Sequence, residues 1–293
     1  MVASRLSARF GSEIFLAARD ATDEELLGAH TPEYLELVKR ECASVGRAHY
    51  LSTGDVVVDD STLAVARRAA GGAIVAMEHA VEMRKPTFAL VRPPGHHAEA
   101  KAGMGFCLFN NAAIAARSFL QKNDGRVLVV DFDYHHGNGT QDIAGNGLSY
   151  VSTHARPAYP GTGAQSFTLP GSNEIVNVPL PASGISTEAF IATWEQRLPA
   201  IARRVKPTML VISAGFDYVK GDPVGDLGVD VEAATHLASV INATAAEHNA
   251  DIAYVLEGGY DIDALTESIA QIVEASDTGR TERSGASQSA RGR

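Results

Sequence analysis

The sequence predicts an α/β protein whose open, mostly parallel sheet is covered by helices. After residue 86, five short apolar runs alternate with helical stretches, an alternation typical of parallel α/β folds. Three of the runs are almost continuously apolar, as expected for strands buried on both faces. The 293 residues, 45% of them hydrophobic and 20% charged, are enough for one large domain with a sizeable core.

The predicted elements follow one another along the whole chain. Residues 1–50 are expected to be helical, with Thr31 as an N-cap and Pro32 at the first helical position. Residues 61–84 form a predicted Ala-rich helix. The predicted strands are 87–91, 127–130, 149–152, 209–212 and 253–256, and the predicted helices between and after them are 110–122, 186–204, 230–248 and 261–275.

We interpret residues 1–275 as a single domain and residues 276–293 as a disordered tail. The tail has no large apolar side chain and is rich in Ser, Gly and Arg, so it buries too little surface to become ordered. Its net charge is positive, whereas the whole chain carries a net charge of −10.

The composition excludes several classes of protein. A net charge of −10 argues against direct binding to nucleic acids or anionic membranes, which require a basic surface. Two cysteines exclude a disulfide scaffold and a Cys-rich zinc module, so a metal would be held by His and carboxylate ligands. Because the chain shows neither a transmembrane run nor a Sec-type signal, a cytoplasmic enzyme is expected.

Polar side chains follow each predicted strand where it ends. In an open parallel sheet, ligands bind beyond the carboxyl ends of the strands, so these side chains are expected to converge at one edge. Half of the ten histidines lie in such segments, and they are His96, His97, His135, His136 and His154.

The strongest local signal is Asp133-x-His135, because side chains two residues apart in an extended segment point the same way. Asp217 follows a neighbouring predicted strand and adds a second carboxylate. These three ligands, with a position left for water, are typical of a catalytic zinc site. Asp131 shares their direction, either as a further ligand or as a partner that orients a histidine.

Each of these residues also has an ordinary structural explanation. Residues 131–136 suit a solvated loop, and His96 and His97 suit a protein surface. Asp217 suits a cap for the following segment, and Tyr260 suits a core. Because five polar segments follow five predicted strands, the combined pattern favours a functional site.

Seven ordered segments of the chain resemble the histone deacetylase family, which includes bacterial acetylpolyamine amidohydrolases. The resemblance runs from about residue 29 to about residue 272 and is strongest to class II and bacterial members, since Asn138 stands where class I members usually have Asp. The segments are 92–99, 105–111, 131–141, 161–163, 214–217, 221–223 and 257–260.

The resemblance implies an arginase-like fold with about eight strands. The first of these is expected to be missing here, because the chain lacks about the first 30 residues of the family's pattern. It further implies Zn²⁺, or Fe²⁺ in vivo, held by Asp133, His135 and Asp217. A structural K⁺ is implied beside it, held by Asp131, Asp133, His135 and Ser152.

The resemblance also assigns catalytic roles. His97 matches the family's general base and acid, with Asn138 as its orienting partner. His96 is expected to pair with Asp131 and to act electrostatically. Tyr260 is expected to donate a hydrogen bond to the substrate carbonyl oxygen.

A third group of residues matches the family's substrate tunnel. Gly105, Phe106 and Tyr159 resemble the tunnel walls, and Gly258 belongs to the same predicted substrate site. Asp55 loosely matches the rim aspartate that holds the substrate backbone.

The family resemblance favours a deacetylase that hydrolyses acetyl-lysine in proteins or peptides to acetate and free amine. An amidohydrolase for acetylpolyamines remains an alternative, although Val224 stands where one polyamine-selective branch carries Glu. A non-catalytic protein that binds acylated ligands is an alternative of another class. A two-manganese ureohydrolase is disfavoured because it needs further His and Asp ligands. The sequence does not decide whether the protein forms homo-oligomers.

Overall fold

The computed structural model describes residues 1–43 and 48–289, with side chains through residue 276. The helices of this part are α1 (Val2–Phe10), α2 (Asp23–Leu27), α3 (Pro32–Cys42), α4 (Thr62–Met83), α5 (Asn111–Lys122), α6 (Asn138–Ile143), α7 (Thr187–Val205), α8 (Ala233–His248) and α9 (Ile262–Ser289). The strands are β1 (His49–Tyr50), β2 (Val57–Val58), β3 (Thr87–Ala89), β4 (Val127–Asp131), β5 (Leu148–Ala155), β6 (Phe167–Leu169), β7 (Asn173–Leu180), β8 (Met209–Ala214) and β9 (Asp251–Leu256).

Seven of the described strands form one sheet in the order β3-β9-β8-β4-β5-β7-β6. Every neighbouring pair is parallel except β6 and β7, so the predicted α/β class with a mostly parallel sheet is confirmed. The main sheet has seven described strands, whereas the family resemblance implied about eight strands with the first one missing. β1 and β2 form a separate antiparallel pair.

The sheet separates two hydrophobic cores, because successive side chains of a strand point to opposite faces. In β4, Val127 and Val129 belong to the core that includes α3, α4 and α5. Leu128 and Val130 belong to the core that includes α7, α8 and α9. Every residue of β4 is buried, which explains its uninterrupted apolar sequence.

The five predicted strands are all present in the structure. β6 and β7 escaped the sequence analysis because β7 alternates buried and partly exposed residues and therefore contains no continuous apolar run. The predicted helix over 61–84 is α4, and the predicted connecting helices are α5, α7, α8 and α9.

The expectation that residues 1–50 are helical is wrong in part. Residues 15–22 are non-helical and run along α4, where the backbone N–H of Ala21 donates to the carbonyl oxygen of Arg67. Gly71 permits this approach, since a Cβ there would collide with the carbonyl oxygen of Arg19. Tertiary packing on α4 thus decides the backbone conformation of this segment.

Helix α9 continues to Ser289, so its backbone includes most of the predicted tail. The side chains of residues 277–289 and all of residues 290–293 lie outside the described residues. The predicted disordered tail stays a prediction. No helix in the described part is both long and apolar enough to cross a membrane.

His30 links the loop between α2 and α3 to the start of α5. Its Nε2 accepts a hydrogen bond from the backbone N–H of Asn110 at 3.0 Å, and its Nδ1 lies 3.0 Å from the carbonyl oxygen of Glu99. This pairing requires a neutral ring, with the proton on Nδ1. Burial lowers the pKa of His30 to about 4.

We expect the free energy of unfolding to fall as the pH drops from about 6.5 to about 4, with His30 contributing about 3 kcal/mol. The unfolded chain protonates this histidine below its ordinary pKa, whereas the folded protein does so only near its lowered pKa. Denaturant unfolding across this range measures the slope. His30→Gln should flatten it relative to His236→Gln, a change on the exposed face of α8, and parallel curves for the two variants would contradict this.

Candidate active site

The polar segments predicted to converge do so at the carboxyl edge of the sheet. β9, β8, β4 and β5 are consecutive strands of the sheet. Asp131 ends β4, Asp217 lies three residues beyond the end of β8, and Tyr260 lies four residues beyond the end of β9. The loop after β3 carries His96 and His97 to the same edge.

Asp133, His135 and Asp217 form one compact cluster. Each offers a ligand atom, and these three atoms lie within 4.8 Å of one another. His135 Nδ1 lies 3.1 Å from Asp133 Oδ1 and 2.9 Å from Asp217 Oδ2. Asp217 Oδ2 is buried and accepts no well-aligned hydrogen bond from any described residue.

Backbone N–H groups hold the two carboxylates in place. Asp133 accepts hydrogen bonds from the N–H groups of His135 and Gly258, both at 2.8 Å. Asp217 Oδ1 accepts one from the N–H of Tyr134 at 2.9 Å. A Cβ on Gly258 would lie 2.6 Å from Asp217 Oδ2, so only glycine lets the backbone approach the carboxylates this closely.

The charges of this cluster favour a bound cation. Burial raises the pKa of Asp217 to about 6, and the neighbouring Asp133 charge adds to the shift. Burial alone would lower the pKa of His135, but the adjacent carboxylates of Asp133 and Asp217 raise it to about 10. His135, Asp133 and Asp217 would hold a metal ion in place of that imidazole proton, with both carboxylates balancing its charge. One nitrogen and two oxygens, with an orphaned buried oxygen among them, therefore fit Zn²⁺ or Fe²⁺.

The two tandem histidines lie beside this cluster, with ring centroids 4.1 Å apart. His96 Nδ1 lies 3.1 Å from Asp131 Oδ2. Burial alone would lower the pKa of His96, but the charges of Asp133 and Asp131 outweigh it and raise the pKa well above its ordinary value. This environment favours the protonated form of His96.

His97 has the opposite electrostatic environment. Its Nδ1 donates to Asn138 Oδ1 at 2.8 Å, which leaves Nε2 free of the proton. Asn138 Nδ2 donates to Glu99 Oε1 at 2.8 Å, and this bond orients the amide oxygen toward His97. Burial, followed by the charges of His96 and His135, holds the pKa of His97 well below its ordinary value. The neutral ring is suited to accepting a proton.

Asp131 orients its neighbours from beneath the site. Its Oδ1 accepts from the N–H of Asp133 at 3.1 Å, and its Oδ2 accepts from the hydroxyl of Tyr150 at 2.9 Å as well as pairing with His96. Of the two roles left open for Asp131, partner of a histidine is the one that the geometry favours. Ser152 is its register partner on β5, so these two members of the predicted potassium set are neighbours.

Tyr260 approaches the site from the loop after β9. Its ring lies 6.2 Å from that of Phe106 and 5.4 Å from the Arg92 guanidinium carbon. Burial raises the pKa of Tyr260, and the charges of Asp133 and Asp217 raise it further. The phenol is therefore a hydrogen-bond donor at neutral pH.

Two of the predicted tunnel residues, Gly105 and Tyr159, lie against the His97 ring. The Tyr159 ring stands edge-on to His97 at 5.2 Å, and a Cβ on Gly105 would collide with the His97 ring. Asp55 bridges the two walls, since its carboxylate accepts from the N–H of Gly105 at 2.7 Å and from the hydroxyl of Tyr159 at 3.2 Å. Phe106 is 57% exposed at the rim.

Several supporting residues were not assigned a role from the sequence. Glu99 fixes Asn138, and Tyr150 fixes Asp131. Glu257 is fully buried and accepts from the N–H groups of Gly95 and His96, which holds the tandem-histidine loop against β9. Glu99 and Glu257 lie inside the segments that carry the family resemblance. Glu99 stands between two alanines and Glu257 follows an apolar run, and a charged residue in such a place could have been recognised in the sequence as a candidate supporting residue.

A family model described as histone deacetylase domain matches residues 2–276, a wider range than the motifs covered. The chain is 36% identical over 276 residues to histone deacetylase HDA1 of Saccharomyces cerevisiae, covering 88% of this chain and 38% of that protein. It is 34% identical over 256 residues to a probable deacetylase of Archaeoglobus fulgidus, covering 85% and 70%. It is also 34% identical over 274 residues to the human polyamine deacetylase HDAC10, covering 88% and 40%.

Among solved structures, the crystal structure of the HDA15 HD domain matches with a TM-score of 0.86 and 32% sequence identity. The match covers 93% of this chain and 79% of that chain. The chain spans less than half the length of the yeast and human relatives. From the family match over nearly its whole length, and from the structural match, the chain belongs to the histone deacetylase family.

Proposed function

We propose that the protein is a zinc-dependent deacetylase that hydrolyses the amide of acetyl-lysine to acetate and free amine. The observation that carries this proposal is the convergence of a three-ligand cluster, a neutral His97 and a phenol donor at one edge of the sheet. The family relatives named deacetylases support the same reaction class.

The metal ligands, His97 and Tyr260 have different proposed roles in amide hydrolysis. Zn²⁺ held by Asp133, His135 and Asp217 would supply Lewis acidity for the acyl oxygen and for water. His97 Nε2 removes a proton from the attacking water, and the protonated ring then donates that proton to the departing amine nitrogen. The Tyr260 hydroxyl donates a hydrogen bond to the acyl oxygen as negative charge develops there.

Two further residues tune these steps. Asn138 keeps the His97 proton on Nδ1 before the reaction and stabilises the ring when it becomes cationic. Burial, and then the charge of His96 paired with Asp131, keep the pKa of His97 low, so that its ring releases the proton again to the amine. We propose that the predicted K⁺ binds in the region of Asp131 and Ser152. We also propose that the protein is cytoplasmic.

We expect the predicted tunnel mouth to favour an acyl-lysine side chain over a cationic polyamine. Phe106 and Tyr159, which are predicted to line it, are exposed and uncharged, and so is Val224. The Asp55 carboxylate accepts hydrogen bonds from Gly105 and Tyr159, which fix its position beside both predicted tunnel residues. The resemblance to a human polyamine deacetylase keeps the polyamine reaction as the competing activity.

Side-by-side turnover of an acetyl-lysine peptide and of acetylated putrescine and spermidine tests the proposal. With zinc added, we expect kcat/KM for the peptide to exceed that for the polyamines by about tenfold or more, and a hydroxamate to inhibit the reaction. The reverse preference would make the protein a polyamine amidohydrolase. Zinc binding without turnover of any of these substrates would instead indicate a protein that only binds acylated ligands.

A further inference from the structure

Asp222 is a buried carboxylate in the loop after β8, and both of its oxygens are fully engaged. Oδ1 accepts hydrogen bonds from the backbone N–H groups of Val224 at 2.9 Å and Gly225 at 3.1 Å. Oδ2 accepts hydrogen bonds from the N–H groups of Tyr260 at 2.7 Å and Asp261 at 3.2 Å. One side chain thus ties the loop after β8 to the loop after β9.

The loop after β8 is a firm support for this tether. Gly225 lies against the backbone of Asp217, and a Cβ there would come within 2.9 Å of the Tyr134 ring. Asp217 and Tyr134 are themselves joined by the hydrogen bond from the Tyr134 N–H. The oxygen pair of Asp222 is therefore anchored to the same part of the molecule as the predicted metal ligands.

The loop that carries Tyr260 needs such a support. Two glycines precede Tyr260, and Gly259 has a φ of 122°, a conformation that other residues rarely adopt. Asp261, on the other side, caps α9 by accepting from the N–H groups of Asp263 and Ala264. The backbone at Tyr260 thus lies between the glycine pair and the start of α9, and Asp222 accepts the hydrogen bond from its N–H.

We propose that Asp222 is a positioning residue for Tyr260, holding its backbone so that the phenol reaches the acyl oxygen. This inference rests on the proposed deacetylase function. Asp222 lies one loop away from the reacting atoms and acts through the N–H of Tyr260 rather than through substrate. A displacement of about 1 Å at a reacting group can lower catalysis by about 100-fold, so loss of this tether is expected to slow the reaction.

Asp222→Asn should break one of the two pairs of hydrogen bonds to Asp222 with little change in side-chain shape. An amide has one oxygen and one NH₂ group, so it can accept from only one pair of N–H groups and repels the other. Asp226→Asn is the matched control, because Asp226 lies in the same loop and also accepts from two backbone N–H groups, but those belong to Gly221 and Gly228.

We expect Asp222→Asn to lower kcat by about 10- to 100-fold while KM changes less than about threefold, because the loss falls on the transition state. Asp226→Asn should leave both parameters near those of the wild type. In a Tyr260→Phe background, Asp222→Asn should lower kcat by less than about twofold, since the phenol it positions is already gone. A merely structural role would give the same fold-loss in both backgrounds.

Amide hydrogen exchange gives a second measurement that does not depend on activity. Asp222→Asn should speed exchange at one of the two donor pairs, Tyr260 with Asp261 or Val224 with Gly225, and Asp226→Asn should speed neither. Unchanged exchange at all four amides, or equal losses of kcat in the two backgrounds, would overturn the inference. If the wild type shows no turnover, the proposed function fails instead, and the exchange rates still decide whether Asp222 holds the Tyr260 backbone.

Discussion

Replacing His97 with alanine is expected to lower kcat for acetyl-lysine hydrolysis by about 100- to 10,000-fold, the usual contribution of a positioned proton-transfer group. The His97 ring is the neutral imidazole of the site, with its Nδ1 proton held by Asn138 and its Nε2 free to accept. KM should change little, because the ring acts on the proton of the attacking water and not on the substrate stem. Steady-state kinetics with an acetyl-lysine peptide measures both parameters.

Folding must be checked beside this loss of activity. His97→Ala leaves Asn138 Oδ1 without its donor, which should cost about 1–3 kcal/mol of stability and lower Tm without unfolding the protein. His236→Ala, on the exposed face of α8, is the control for the substitution itself. Unchanged turnover by both His97→Ala and Tyr260→Phe would refute the assigned catalytic roles.

Removing the metal is expected to abolish turnover, and added Zn²⁺ should restore it in the wild type but not in Asp217→Asn. The asparagine offers a neutral oxygen in place of the buried Asp217 carboxylate beside Asp133. The affinity for Zn²⁺ should therefore fall by at least about 100-fold. Substitutions of residues that only support metal ligands usually cost about 10- to 100-fold. Chelation followed by metal titration measures the effect. Asp226→Asn, in the same loop as Asp217, should recover activity like the wild type.

Thermal unfolding tests the same site without substrate. Zinc at about 100 times its Kd should stabilise the wild type by about 2.7 kcal/mol and raise its Tm. Asp217→Asn should show no comparable rise. An equal shift in both proteins would mean that the stabilising zinc binds elsewhere, and the three-residue cluster would then lose its assignment.

The core of the site could be predicted because it follows from two simple regularities. Alternation along an extended segment places Asp133 and His135 on one side, and parallel strands bring the end of β8 beside the end of β4. Both regularities depend only on residue type and order. The strand pattern therefore predicts the sheet edge, and the charged residues after it identify the cluster of Asp133, His135 and Asp217.

The supporting contacts could not be predicted in the same way. Asp222 and Glu257 act on backbone N–H groups of segments far away in the sequence, and every non-proline residue offers the same N–H donor. Their partners are decided by how the loops pack in three dimensions. The extended path of residues 15–22 was missed for the same reason, since contact with α4 and not local preference determines it.

The alignment of the strand ends has a consequence for how the protein can be assayed. Asp131 lies level with Ser213 on β8 and Ser152 on β5, so the ligand-bearing loops start from one common height. A slip of one residue along a strand moves a loop by about 3.3 Å, whereas a metal tolerates changes of about 0.2 Å in its ligand distances. Correct pairing of the strands is thus needed to bring the three proposed ligands together, and we expect the amount of zinc bound per chain to measure the fraction of correctly folded molecules in a preparation.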